Sequence, residues 1–280
     1  MYDLLEVFPH ADLYSSIYIA DNFPDLANRE VKTTFLDRIP FIRTRPKLVP
    51  FLRPYAFESL DLSGYDIVIS SSSAESKGII TQPETLHICY CHSPTRYYWS
   101  HSHEYMKNPE FGIFNFIARL VMPYFFHRLR LWDLAASARV DSFIANSRNS
   151  ANRIAKYYRR ESTVITPGID SERFQLETDK SNYYLALGRM IPYKKFDLLV
   201  DTFNANGKRL VIVTNTRNKL LATLMAKSKD NIEWQLGVTH SQKIKLFQKA
   251  KAFVFPADED FGMVPIEAML CGTPVIAYGK

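Results

Sequence analysis

The feature that most restricts the fold is a repeated order of short apolar runs and helix-patterned segments. The apolar runs are Tyr65-Asp-Ile-Val-Ile-Ser70, 87–91, 141–145, 162–166, 183–187, 209–213, 252–255 and 274–277. Several carry few polar positions, as strands buried on both faces do. Between them, 147–158, 195–204, 241–249 and 265–271 read as helices, and 2–8 reads as the tail of one. Strand followed by helix, again and again, predicts an α/β architecture with parallel sheets. A boundary is expected at Pro167-Gly168-Ile169-Asp170, giving lobes 1–167 and 168–280 with a cleft between them. The first segment begins inside a helix and the last strand has no covering helix, so an early strand and closing helices are expected to be missing.

Composition excludes several classes. With 280 residues, 46% hydrophobic and 23% charged, the chain folds by burying a core. Its ten glycines never occur as G-x-G and none precedes Lys-Ser or Lys-Thr, which removes the dinucleotide fingerprint and the P-loop. Cys89, Cys91 and Cys271 form no C-x-x-C pair and fit a reducing, cytoplasmic setting. No secretory signal opens the chain, and Ile113 to Phe126, broken by Asn115, Arg119 and Pro123, falls short of the roughly 20 residues of a spanning helix. The net charge of +6 suits an acidic partner, but no nucleic-acid motif accompanies it, so no nucleic-acid partner is expected.

The sharpest local pattern is Phe253-Val-Phe-Pro-Ala-Asp-Glu259-Asp-Phe-Gly-Met-Val-Pro-Ile-Glu267, followed by Ala-Met-Leu-Cys-Gly-Thr-Pro-Val-Ile-Ala277. It reads as strand, acidic loop, helix, glycine stop, strand. Pro265 suits the first helical position and Gly272 the left-handed residue past the helix end. The amides of Phe261 to Val264 would then face the carboxyl edge of the sheet, where α/β folds bind ligands. Carboxylates repel phosphate, so Glu259 and Glu267 are assigned to hydroxyl groups. Either glutamate alone reads as an acid in the first helical turn, stabilising the dipole. A second site follows another strand, in Leu187-Gly-Arg189-Met-Ile-Pro-Tyr-Lys194, where the Arg189 fork and the Lys194 charge suit a diphosphate. Isolated surface cations are the plainer account.

These residues, with Thr166-Pro-Gly-Ile-Asp170 ahead of Phe174, resemble the retaining nucleotide-sugar glycosyltransferases of family 4, which have the GT-B fold of two Rossmann-like lobes. Cys89-Tyr-Cys-His-Ser-Pro-Thr-Arg-Tyr-Tyr-Trp99, Arg130-Leu-Trp-Asp-Leu-Ala-Ala136 and Phe143-Ile-Ala-Asn-Ser147 are similar to the mannosyltransferase branch that builds bacterial O-antigen and related polysaccharides. The resemblance implies transfer of a hexose, with GDP-mannose as donor, to a lipid-linked glycan acceptor, with retention and without a metal or other cofactor. It implies that Arg189 and Lys194 grip the donor diphosphate, that Glu267 binds the ribose, that Glu259 contacts the donor sugar, and that Phe261, Gly262 and Met263 offer backbone contacts. It also implies that His92 approaches the donor sugar from the amino-terminal lobe; a lone His is otherwise a structural residue.

Ser147 reads as a helix cap, with a substrate contact as the alternative. A metal site at Cys89, Cys91 and His92 is rejected for want of a distant fourth ligand, and small buried strand residues explain the cysteines. The loop Thr214-Asn-Thr-Arg-Asn218 departs from the glycine-rich turn of many family members. The aromatic and basic segment Tyr97 to Trp132, with Arg119, Arg128 and Arg130, suits the inner face of an anionic membrane; a buried helix with snorkelling arginines explains it equally. A UDP-hexose transferase and a noncatalytic nucleotide-sugar or polysaccharide-binding module remain as rival readings.

Overall fold

The computed structural model describes residues 2–44, 49–107 and 115–279. They fall into two compact units, divided between Thr166 and Pro167. The first carries α1 (Tyr2–Val7), β1 (Leu13–Ser15), β2 (Val31–Thr33), α2 (Pro40–Thr44), α3 (Leu52–Glu58), β3 (Ile67–Ser72), β4 (Leu86–Cys91), α4 (Ser102–Lys107), α5 (Asn115–Ala138), β5 (Ser142–Ala145), α6 (Arg148–Tyr158) and β6 (Thr163–Val164). β1 pairs with β2, and β3-β4-β5-β6 form a separate sheet, all parallel.

The second unit alternates strictly: β7 (Tyr184–Leu187), α7 (Phe196–Asn206), β8 (Leu210–Thr214), α8 (Lys219–Lys227), β9 (Ile232–Leu236), α9 (His240–Lys249), β10 (Ala252–Phe255), α10 (Met263–Leu270) and β11 (Val275–Ala277). Its strand order is β11-β10-β7-β8-β9, again parallel. Leu210–Thr214 is buried at every position, the signature of a strand covered on both faces.

All eight apolar runs become strands. β1, β2 and β9 were not legible: the first two are three residues long, and Ile232-Glu-Trp-Gln-Leu236 mixes polar and apolar positions on an edge. Pro265 stands at the third position of α10, not the first. Its missing N–H still costs nothing, because the first-turn amides have no acceptor one turn earlier.

Charge is buried deliberately in the first unit. Lys77, 1% exposed, meets Asp133 at 2.5 Å, and Asp133 also accepts from Thr95 (2.9 Å), Trp99 (2.8 Å) and Tyr158 (2.7 Å). A buried ion pair survives only when its remaining lone pairs are satisfied, as here. Thr95, Trp99 and Asp133 belong to two of the three segments that resemble the polysaccharide branch, so part of that resemblance is a structural knot. Cys89 and Cys91 are buried with Val140, Phe143 and Ile154, in the core role expected of them.

α5 is neither wholly buried nor wholly free. Phe126, Leu129, Asp133 and Ala136 face inward, while Phe116 and Leu120 are 80% and 75% exposed, with Tyr124 and Leu131 following on the same stripe. The buried-helix reading therefore fails for one face. Arg128 is exposed and Arg130 donates to the Phe126 carbonyl. Residues 108–114 and the Arg119 side chain lie outside the described residues. Among the described residues, no helix is long and apolar enough to cross a membrane.

His87, fully buried on β4, shares a hydrogen bond with Ser70 (2.8 Å). Burial lowers its pKa from the ordinary 6.5 to about 4, against an opposing pull from Asp141. The folded state thus prefers neutral imidazole, and its stability is complete above pH 6.5 and lost as pH falls through about 4. Urea unfolding between pH 7 and pH 4 should show this loss, roughly 3 kcal/mol at most. His87→Gln should flatten the slope in that window; an equal slope in both proteins would contradict the assignment.

Candidate functional site

The parallel pairing of β7 with β10, Tyr184 against Ala252 and Leu185 against Phe253, sends the chain after both strands to the same edge of the sheet. Gly188 and Arg189 leave β7, and a short turn, Pro192–Lys194, follows. Lys195 then adopts a left-handed conformation (φ 56°) to start α7. Such a backbone is uncommon for a residue with a side chain and reverses the chain sharply after Lys194.

Lys194 lies inward. Its Nζ forms an ion pair with Glu259 Oε1, and the ammonium also sits 4.9 Å from the centre of the Phe255 ring and 5.6 Å from that of Tyr193. The side chains of Lys194 and Glu259 are only 13% and 18% exposed. The structure therefore joins the expected phosphate cation to the expected sugar carboxylate. Two residues expected in separate roles are thus a single ion pair. Arg189, by contrast, points to solvent.

Gly262 opens α10 with φ 84°, a backbone that favours glycine. Met263 and Val264 follow with amides that no earlier turn accepts. Phe261 and Gly262 are half-buried and Met263 is exposed. Glu267 lies at the fifth helical position, so the alternative of an acid in the first turn does not hold. Both its oxygens accept from Lys243 on α9, at 3.1 and 2.9 Å. Thus each of the two glutamates is met by a lysine.

α10 is closed by a Schellman motif: Gly272 N–H donates to Met269 O (2.9 Å) and Thr273 N–H to Ala268 O (3.0 Å). Gly272 has φ 71°, as expected of the left-handed stop. Lys180 donates to the carbonyls of Gln248 (2.7 Å) and Cys271 (3.1 Å), pinning the ends of α9 and α10. A cavity of about 460 Å³ opens beyond β9, lined by Gln235 to Val238 and by Gln242, Lys245 and Leu246 of α9.

The loop after β8 replaces glycine with side-chain hydrogen bonds. Asn218 caps α8 through Leu221 N–H (3.0 Å) and donates to Met190 O (2.8 Å), while Asn215 accepts from Gly237 N–H (3.0 Å). Lys180, Lys243 and Asn218 were missed by sequence reading. Only Asn218 left a signal there, as a capping residue before an apolar run.

His92 lies in the first unit, just past β4. Its Nε2 shares a hydrogen bond with Ser71 Oγ (2.9 Å), its N–H donates to Ser72 O (2.8 Å), and its ring meets Tyr90 edge-on at 5.2 Å. Ser147 caps α6, its hydroxyl accepting from Ser150 N–H (3.1 Å). Among the described residues, no cluster of His, Cys, Asp and Glu could hold a metal.

The family model of Glycosyltransferase Family 4 matches residues 2–173, and that of Glycosyl transferases group 1 matches residues 168–279. The chain is 31% identical over 133 residues to the O-antigen chain mannosyltransferase RfbU of Salmonella typhimurium, covering 44% of this chain and 38% of that protein. It is 30% identical over 176 residues to the lipopolysaccharide core biosynthesis mannosyltransferase LpsB of Rhizobium meliloti, covering 52% and 47%. It therefore spans less than half the length of these curated relatives. The solved Anabaena HepE, in complex with UDP and glucose, superposes with TM-score 0.64 at 16% identity, covering 98% of this chain and 75% of that one. Sucrose-phosphate synthase from Thermosynechococcus elongatus gives 0.60 at 17%, covering 90% and 66%. Their likeness shows the fold: GT-B, with two parallel-sheet α/β units.

A Cβ at Gly272 would lie 2.5 Å from Leu176 Cδ1 and 3.1 Å from the Glu177 carbonyl, in a backbone already strained for any side chain. Gly272→Ala should cost roughly 1–3 kcal/mol in urea unfolding; an unchanged midpoint would show that the α10 stop tolerates a side chain.

Proposed function

Because the chain belongs to glycosyltransferase family 4, we propose that it transfers a hexose, mannose from GDP-mannose, to a lipid-linked glycan acceptor. The observation that carries the reading is the meeting of Lys194 and Glu259 at the shared edge of β7 and β10. A diphosphate carries charge for cations and amides, and its sugar and ribose carry hydroxyls for carboxylates. In this reading Arg189 and Lys194 take the diphosphate, with backbone contacts from Phe261, Gly262 and Met263. Glu259 takes the donor sugar and Glu267 takes the ribose. Support for mannose comes from RfbU and LpsB, both described as mannosyltransferases.

Chemistry follows from charge. As the bond between the anomeric carbon and the leaving phosphate oxygen breaks, negative charge grows on the diphosphate. Arg189 and Lys194 therefore stabilise the transition state more than the ground state. The acceptor hydroxyl forms the new glycosidic bond on the same face as the anomeric carbon–phosphate bond breaks, and its proton passes to the departing phosphate, so configuration is retained. Lys194 begins on Glu259; release to the diphosphate would leave that carboxylate ready for sugar hydroxyls.

In assays with GDP-mannose and a lipid-linked acceptor, Arg189→Ala should lower kcat/KM at least tenfold, about 1.4 kcal/mol per factor of ten. Unchanged kinetics would remove the diphosphate role. Thermal shifts with GDP, UDP and GDP-mannose should be largest for the guanine nucleotides; a larger shift with UDP would reassign the donor to a UDP-hexose, and binding without turnover would favour the noncatalytic module.

The acceptor reading is supported by α5, whose exposed stripe of Phe116, Leu120 and Tyr124 lies beside exposed Arg128. Apolar insertion with basic attraction suits the anionic inner face of the cytoplasmic membrane. Sedimentation with anionic vesicles at low salt should carry the protein down, and Phe116→Ser with Leu120→Ser should reduce it several-fold; no binding at low salt would retire the membrane contact.

A further inference from the structure

Glu267 has its partner on the neighbouring helix. Lys243 donates to both carboxylate oxygens, and the two side chains are 20% and 16% exposed, so the pair is shielded more than a surface ion pair. We propose that Lys243 is a positioning residue for nucleotide recognition, orienting the Glu267 carboxylate to receive the 2′ and 3′ hydroxyls of a ribose. The inference rests on the ribose role given to Glu267 above and deepens it.

Three observations carry it. First, an ionised carboxylate offers about four lone-pair sites. Two N–H contacts from one ammonium leave one site on each oxygen, a spacing suited to neighbouring hydroxyls. Second, Lys243 stands on a fixed element. Thr239 and Gln242 form a capping box at the start of α9, and Phe247, 0% exposed, anchors the next turn with its ring 6.0 Å from the ammonium. The backbone that carries Lys243 is thereby set by the fold. Third, the adjacent face of α9, through Gln242, Lys245 and Leu246, borders the cavity beyond β9. One helix thus both borders that space and orients the carboxylate on its neighbour. A direct phosphate role fits Lys243 less well, since two of its three N–H groups are already committed to Glu267.

The test measures calorimetric Kd values for GDP and 2′,3′-dideoxy-GDP, and for the matching uridine pair, on wild type, Lys243→Met, Lys243→Arg and Glu267→Gln. Lys243→Met should weaken the ribonucleotide about tenfold, about 1.4 kcal/mol, and leave the dideoxynucleotide unchanged. Lys243→Arg should recover most of the loss, and Lys243→Met added to Glu267→Gln should cost nothing more. Equal losses on ribo- and dideoxynucleotides, or additive losses in the double variant, would overturn the positioning role. Should Lys243→Met not fold, Lys243→Gln takes its place in the cycle. Equal wild-type affinity for ribo- and dideoxynucleotides, or no nucleotide binding at all, would instead overturn the ribose reading beneath it.

Discussion

The pairing of β10 beside β7 governs the second unit. These strands are separated in sequence by two others, β8 and β9, yet they lie adjacent and parallel in the sheet. Parallel neighbours deliver their following loops to one edge. A cation from the loop after β7 therefore meets a carboxylate from the loop after β10, and α10 starts from that same place. Different pairing would leave Lys194 and Glu259 as unrelated surface charges.

Around that edge, rigidity comes from local backbone devices. Gly262 starts α10 in a left-handed conformation, Gly272 ends it in another, and Lys180 fastens the ends of α9 and α10 through their carbonyls. Binding groups on fixed elements lose little freedom when a ligand arrives. The first unit buries its charges instead. Lys77 and Asp133, with Thr95, Trp99 and Tyr158, form a satisfied interior network, and Glu75 accepts from Tyr98 (2.8 Å) while paired with Arg53 (2.7 Å). Removal of one member would strand its partner's charge in a dry interior, which is the costly outcome for buried ions.

Much of this was legible in the residues. The eight apolar runs, the glycine stop at Gly272 and the cap at Ser147 each reflect local chemistry, and local chemistry is written in contiguous sequence. What escaped depends on contacts between distant segments. Lys243 and Glu267 are 24 residues apart, and nothing near either one announces the other. The ion pair of Lys194 with Glu259 was hidden for the same reason, though both residues were singled out. Pro265 marked the first turn of α10 correctly but not its first residue, because a proline is tolerated throughout a turn whose amides have no acceptor. The partial exposure of α5 was ambiguous because aromatic and basic residues serve equally on a buried stripe or on an open face.

The central claim is that the shared edge of β7 and β10 binds a nucleoside diphosphate. A crystal structure of the chain soaked with GDP tests it most directly. The account predicts diphosphate oxygens within hydrogen-bond distance of Arg189 and Lys194, with Lys194 drawn off Glu259 and the ribose on Glu267. Nucleotide bound elsewhere, with Lys194 still on Glu259, would contradict it.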